Sequence, residues 1–290
     1  LPVCATFVFS NATSPHSQVS AGGWCSAVVT AAGALFTFGS GGNGRLGHGD
    51  EDDRNVPAEV VALRGQRVVQ IALYEHTAAR TVEGDVYTWG ENQGGQCGLG
   101  YASDGVLVPT KVEGSDIADV VVGRLHTLAC TSSGELFSWG RGRSGKLGHG
   151  DEANQLVPKR VEGIEHVVRV ASGTFHSVVL TSEGNLYAFG RGNMMGRGAN
   201  HPNQYTPKRV PLDERVVDVD CFEEHTVALT ASGQLLTWGN DNSGRLGHGT
   251  PAHQLTPRLV ESLRDVELLR ELKKIHRLRV NVTILSLIHI

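Results

Sequence analysis

A chain of 290 residues is long enough to bury a sizeable core, or one shared among repeated units. Its formal net charge of −4 gives no bulk attraction for nucleic acid or an anionic membrane surface, and no apolar run is long enough to span a bilayer as a helix. The cysteines (Cys4, Cys25, Cys97, Cys130 and Cys221) are odd in number and lack CxxC spacing, which argues against a disulfide framework or a zinc site and fits a reducing compartment, cytoplasm or nucleus.

Residues 1–18 match nothing downstream and read as an irregular leading segment. From 19 to 260 one frame recurs in five units, each anchored by an aromatic followed by glycine: Phe38-Gly39, Trp89-Gly90, Trp139-Gly140, Phe189-Gly190 and Trp238-Gly239. A period of about fifty residues marks a propeller or a solenoid. Ahead of each anchor stands a β-branched run, then a step at His76, His126, His176 and His225 that Cys25 takes in the first unit. An apolar run ending in Thr follows, then a glycine turn at Gly33, Gly84, Gly134, Gly184 and Gly233. Short alternating runs bounded by such turns predict antiparallel strands joined by two-residue hairpins. Behind each anchor lies a glycine-rich loop, and an extended piece follows Pro57, Pro109, Pro158, Pro207 and Pro257. Four short strands per unit make one propeller blade. Residues 261–290 open with Leu263, Val266, Leu269 and Leu272 at three-residue steps, which predicts a short amphipathic helix, and end in an apolar stretch that reads as a non-native end.

The succession G-x-x-H-[ST]-x-x-L-T-x-x-G-x-L-[YF]-x-[WF]-G, then G-x-L-G-H-G, then Pro, nearly whole between Gly123 and Pro158, resembles the regulator-of-chromosome-condensation repeat family. The resemblance covers 19–260 and implies an all-β fold, a propeller of four-stranded antiparallel blades. It also implies a seven-bladed type of which about five blades are visible, so the chain reads as a fragment. Family members of this kind are protein-binding domains of larger signalling, ubiquitin-ligase or trafficking proteins. The namesake's activity, guanine-nucleotide exchange on a small GTPase of the Ran type, is the alternative; the even spacing leaves no room for a sizeable wedge insertion. The ultraviolet-B receptor branch of the family carries Trp where this chain has Gly23, Tyr74, Arg124, Thr174 and Glu223, so that sensing chemistry is not expected.

The remaining motifs yield to the repeat. Gly140 to Lys146 has G-x-x-x-x-G-K spacing, but Leu147 stands where a nucleotide loop needs Ser or Thr for magnesium. The recurrent histidines fall once per blade around a ring, so they are expected to hydrogen-bond within a blade or to the next rather than gather a metal. No nucleophile elbow or HExxH helix is present, and neither catalytic residue, cofactor, metal nor small-molecule substrate is expected. The repeat does not explain Arg141, Arg143 and Arg191, which follow the anchors where other units carry Ser40, Glu91 or Asn240. With Lys146 and Arg197 they are expected to form a cationic patch on the loop face of units three and four, recognising a protein partner through an acidic surface or a small GTPase. Asp50 to Asp53 crowd the corresponding loop of unit one, so the face separates its charges.

Overall fold

The computed structural model describes residues 18–198 and 202–264. Each repeat unit is one four-stranded antiparallel sheet with its strands in sequence order, five sheets in all. The first strands are Gln18–Ala21, Val68–Leu73, Ile117–Val122, Val167–Ser172 and Val216–Phe222. They pack side by side in succession and together line one axial cavity of about 130 Å³. Tyr74 and Phe222 meet across it, ring centroids 5.8 Å apart. The sheets are therefore blades around a common axis, as the periodicity predicted. The helix expected beyond residue 261 lies outside the described residues, apart from a 3-10 turn at Glu261–Leu263.

Two local expectations change. The connection between the second and third strands is a three-residue loop: Thr81 N–H donates to Asp85 O and Gly84 N–H to Thr81 O. Gly84 takes the left-handed position that such a loop requires, with φ +85°. It also touches the next blade, where Ile117 N–H donates to the Gly84 carbonyl, and a Cβ would stand 3.1 Å from the Asp116 backbone. The turn glycine is thus also a seam. Second, the prolines fall inside the outermost strands (Pro57 within Arg54–Glu59, Pro158 within Gln155–Arg160), because an edge strand has no ladder partner to lose on its open side.

The core sits between blades more than within them. Leu35 and Leu46 of unit one pack with Val68, Ile71 and Trp89 of unit two. Leu128, Leu136 and Val161 of unit three pack with Val167, Val170 and Phe189 of unit four. Trp89, Trp139, Phe189 and Trp238 are all buried, each against the glycine loop of the preceding unit. Gly98 shows why the loop needs glycine: a Cβ there would lie 2.7 Å from Trp139 Nε1. Phe38, in the first unit, is only half-buried.

The histidines complete the seams. His76 Nε2 bonds Thr127 Oγ1 at 2.7 Å, His126 Nε2 bonds Ser177 Oγ at 3.0 Å, and His176 Nε2 bonds Thr226 Oγ1 at 3.0 Å. The same hydroxyls donate back to loop carbonyls: Thr127 to Gln96 O and Ser177 to Lys146 O. Burial pushes the imidazoles towards their neutral forms, His76 down to about 3 and His176 to about 4, so the seam bonds stay uncharged across the physiological range.

Candidate functional site

The loops after the anchors and the turns before the repeat histidines meet on one face. Arg141 N–H donates to Leu125 O at 2.8 Å, which sets the third-unit loop against the residue preceding His126. Arg191 N–H does the same to Phe175 O at 3.0 Å in unit four. The face is therefore built from two residue sets per unit, the post-anchor loop and the pair before the histidine.

The five cations expected to act together have different fates. Arg143 is exposed and Arg141 half-buried, and neither lies within ion-pairing distance of a carboxylate among the described residues. Arg191 is exposed, but its guanidinium lies 5.3 Å from the Phe175 ring centroid and 3.4 Å from Glu224 Oε1. Arg197 is half-buried, 3.4 Å from Gln204 Oε1, in the same blade. Lys146 departs from expectation: it is 2% exposed. The next blade closes over it, with Nζ donating to Thr174 O at 3.1 Å and lying 5.8 Å from the Phe175 ring centroid. It is therefore not a member of the exposed patch.

Burial, reinforced by Arg141, Arg124 and Arg143, pulls the Lys146 ammonium down to about 7. Arg124 is the residue that the expected patch lacked. It is exposed beside Lys146 and belongs to the pair before His126, a position that is Gly23, Tyr74, Thr174 or Glu223 in the other units. Its signal in the sequence was a side chain changing type at a fixed repeat position, two residues before the histidine.

Acidic groups frame this cationic zone. Glu75 and Glu91 belong to unit two, and Glu91 is raised by burial and by Glu75 against the pull of Arg141, Arg45 and Arg124. Glu223 and Glu224 lie on the unit-five side, bonded to Arg245 and to Asn240 and Arg191. The Asp50–Asp53 segment of unit one is partly neutralised, since Arg54 bonds Asp50 at 2.6 Å. Beneath the face, in the axial cavity, Arg169 bonds Asp218 at 3.1 Å, while burial raises Asp220 to about 7. Among the described residues no cluster of metal-ligating side chains exists, and no helix is long and apolar enough to cross a membrane. The four described cysteines are buried, and burial raises each thiol, Cys25 to about 11 and Cys97 to about 12.

Meander sheets interlocked around a shared axis, with their loops gathered on one face, define a β-propeller scaffold. The chain belongs to the RCC1-like domain family, whose model matches residues 3–279. Among curated proteins it is similar to the human E3 ubiquitin-protein ligase HERC2, 46% identical over 99 residues, which is 33% of this chain and 2% of the ligase. The human probable E3 ubiquitin-protein ligase HERC4 is 43% identical over 114 residues, 38% of this chain and 11% of that protein. The chain thus spans a small fraction of the length of these relatives. Among solved structures, human WBSCR16 superimposes with a TM-score of 0.76 at 27% identity, covering 88% of this chain and 67% of that one. Yeast RCC1 (Prp20), solved bound to Kap60, gives 0.74 at 22% identity over 82% of this chain and 59% of that one. The five sheets match the blades of seven-bladed propellers of this family.

Proposed function

We propose that this chain is a protein-binding module, a scaffold or regulatory domain that docks a partner through the loop face of blades three and four. The observation that carries the reading is the pair Arg141 and Arg143: cations on a post-anchor loop, without a carboxylate in ion-pairing range among the described residues, where units one, two and five carry neutral or acidic residues. Arginine suits such a role because its planar fork grips carboxylates with two parallel bonds. Arg191 borders the same zone and joins it once its contact with Glu224 is exchanged for a partner's acid. Membership of a family found within ubiquitin ligases supports a docking role inside a longer protein. Affinity capture with the R141A/R143A/R191A variant tests it. Capture of the protein's partners should fall about tenfold or more while the circular-dichroism spectrum is unchanged, since charge-assisted interface contacts are worth about 1.5–3 kcal/mol each. Unchanged capture removes the face from consideration. Nucleotide exchange on a Ran-type GTPase is the competing reading. Release of a fluorescent nucleotide from Ran at catalytic protein levels would establish it, and a flat trace is expected.

A further inference from the structure

The repeat contains its own control for Lys146. The equivalent residues in units one, two, four and five are Arg45, Gln96, Met194 and Arg245. Where the position is cationic, a glutamate before a repeat histidine accompanies it: Arg45 lies 3.1 Å from Glu75 and Arg245 2.9 Å from Glu223. The other two positions carry no charge, Gln96 and Met194, although Glu75 stands before the histidine of Gln96's own blade and Glu223 and Glu224 before that of the blade covering Met194. Of the three cations at this position, Lys146 is the one with no glutamate in either place. Its own blade supplies Arg124 and Leu125 before the histidine, and the next blade supplies Thr174 and Phe175. Every charged group acting strongly on it is another cation: Arg141, Arg124 and Arg143. A buried ammonium without a counter-charge is costly, and such groups are normally paired or lose their proton.

Building on the docking role proposed above, we infer that the missing counter-charge is brought by the partner: a short acidic peptide segment whose carboxylates settle on Arg124, Arg141 and Arg143 above Lys146, and whose binding draws a proton onto that lysine. The surroundings select a short segment over an extended polyanion. Glu75 and Glu91 on one side and Glu223 and Glu224 on the other would repel a nucleic-acid backbone running past the zone. Half-buried Leu125, Phe175, Tyr74 and Phe222 offer apolar contact to the intervening side chains.

The proton linkage follows from the free state. Lys146 sits near 7, so at neutral pH it is only partly charged; an anion above it favours the charged form and raises its proton affinity. Binding then takes up protons above neutrality and weakens as pH rises. The groups packed around Lys146 do not duplicate this behaviour. Arg124, Arg141, Arg143 and Arg191 keep their charge throughout this range as guanidiniums. His76 and His126 are held neutral by burial, and Thr174 and Phe175 do not titrate there.

The test is fluorescence anisotropy with the whole 290-residue chain. The probes are a labelled peptide of alternating Glu and Leu, its Gln counterpart, a phosphoserine counterpart and a labelled DNA single strand. The Glu peptide should bind and weaken about threefold to tenfold between about pH 6 and about pH 8.5, a unit of pKa rise being worth tenfold. The Gln peptide should not bind. K146M copies the Met194 solution, so it should fold and lose the pH dependence, binding at both pH values about as weakly as the parent does at the higher one. R141A/R143A should weaken binding at both pH values. A pH dependence that persists in K146M overturns the role of Lys146 while leaving the docking face standing. Failure of the Glu peptide to bind, or tighter binding of the phosphoserine peptide or the DNA, overturns the acidic-segment assignment. If capture by R141A/R143A/R191A is also unchanged, the docking reading falls with it.

Discussion

The seam between blades one and two and the seam between blades three and four solve the same problem differently. Both place a basic residue after the loop glycine and cover it with the next blade. At the first, Glu75 enters with the covering blade and stands 3.1 Å from Arg45, close enough to pair although the bond is poorly aligned. At the second, Phe175 enters at the corresponding place, and Lys146 has an aromatic ring and a carbonyl instead of an acid. One seam is complete within the chain; the other leaves a charge to be answered from outside. A repeat that is uniform in backbone is thus free to specialise one blade junction by exchanging a single carboxylate for a ring.

The sharpest way to break this comparison is to make the first seam resemble the second. Glu75→Ala strands Arg45 in a nearly buried site and should cost about 3 kcal/mol or more in urea unfolding, as removal of one partner of a buried pair does. The reverse operation at the second seam should help. Lys146→Met should stabilise by about 1–3 kcal/mol, because replacing a buried charge with a well-packed apolar residue is commonly neutral or favourable. Its pH signature follows from the sign of the shift. Lys146 is lowered in the folded chain, so between about 7 and its ordinary value near 10.5 the unfolded chain holds more protons there and stability rises with pH. Unfolding midpoints of the parent should climb across that range more steeply than those of Lys146→Met. Next in size is the histidine seam, tested at the junction between blades two and three. Thr127→Val leaves His76 Nε2 without its partner and should cost about 1–2 kcal/mol by the same assay, the usual penalty for a buried unsatisfied group. The smallest effect belongs to an ion pair outside any seam. Arg64→Ala, removing the exposed contact to Glu59, should leave the urea midpoint unchanged within the scatter of the assay.

The parts of the molecule that were legible in the sequence are those the repeat states several times over. Aromatics of that size at a fixed place in each unit read as buried between the strands of a blade; Trp89, Trp139, Phe189 and Trp238 are buried, but against the loop of the preceding unit. The histidines were expected to hydrogen-bond within a blade or to the next, and His76, His126 and His176 bond the following blade. The half-buried state of Phe38 was not legible, because an anchor is covered by the loop of the unit before it, and no described unit precedes the first. The burial of Lys146 was hidden for a related reason. A lysine in a glycine-rich loop reads as solvated, and only the approach of Thr174 and Phe175, about thirty residues on, encloses it. The three-residue loop was missed because glycine marks the left-handed position of several turn types alike.

The forward direction of the seam bonds bears on how such a chain grows over generations. His76 reaches Thr127, His126 reaches Ser177 and His176 reaches Thr226, while Gly33, Gly84, Gly134 and Gly184 offer their carbonyls to the strand that follows. Units two, three and four therefore each encode a plug at one flank and a socket at the other. Tandem duplication of such a segment delivers both halves together, so a copied blade fits between its parents with no change to either. Divergence is then free to act on the loops, where one altered residue such as Phe175 gives a copied blade a task its siblings lack.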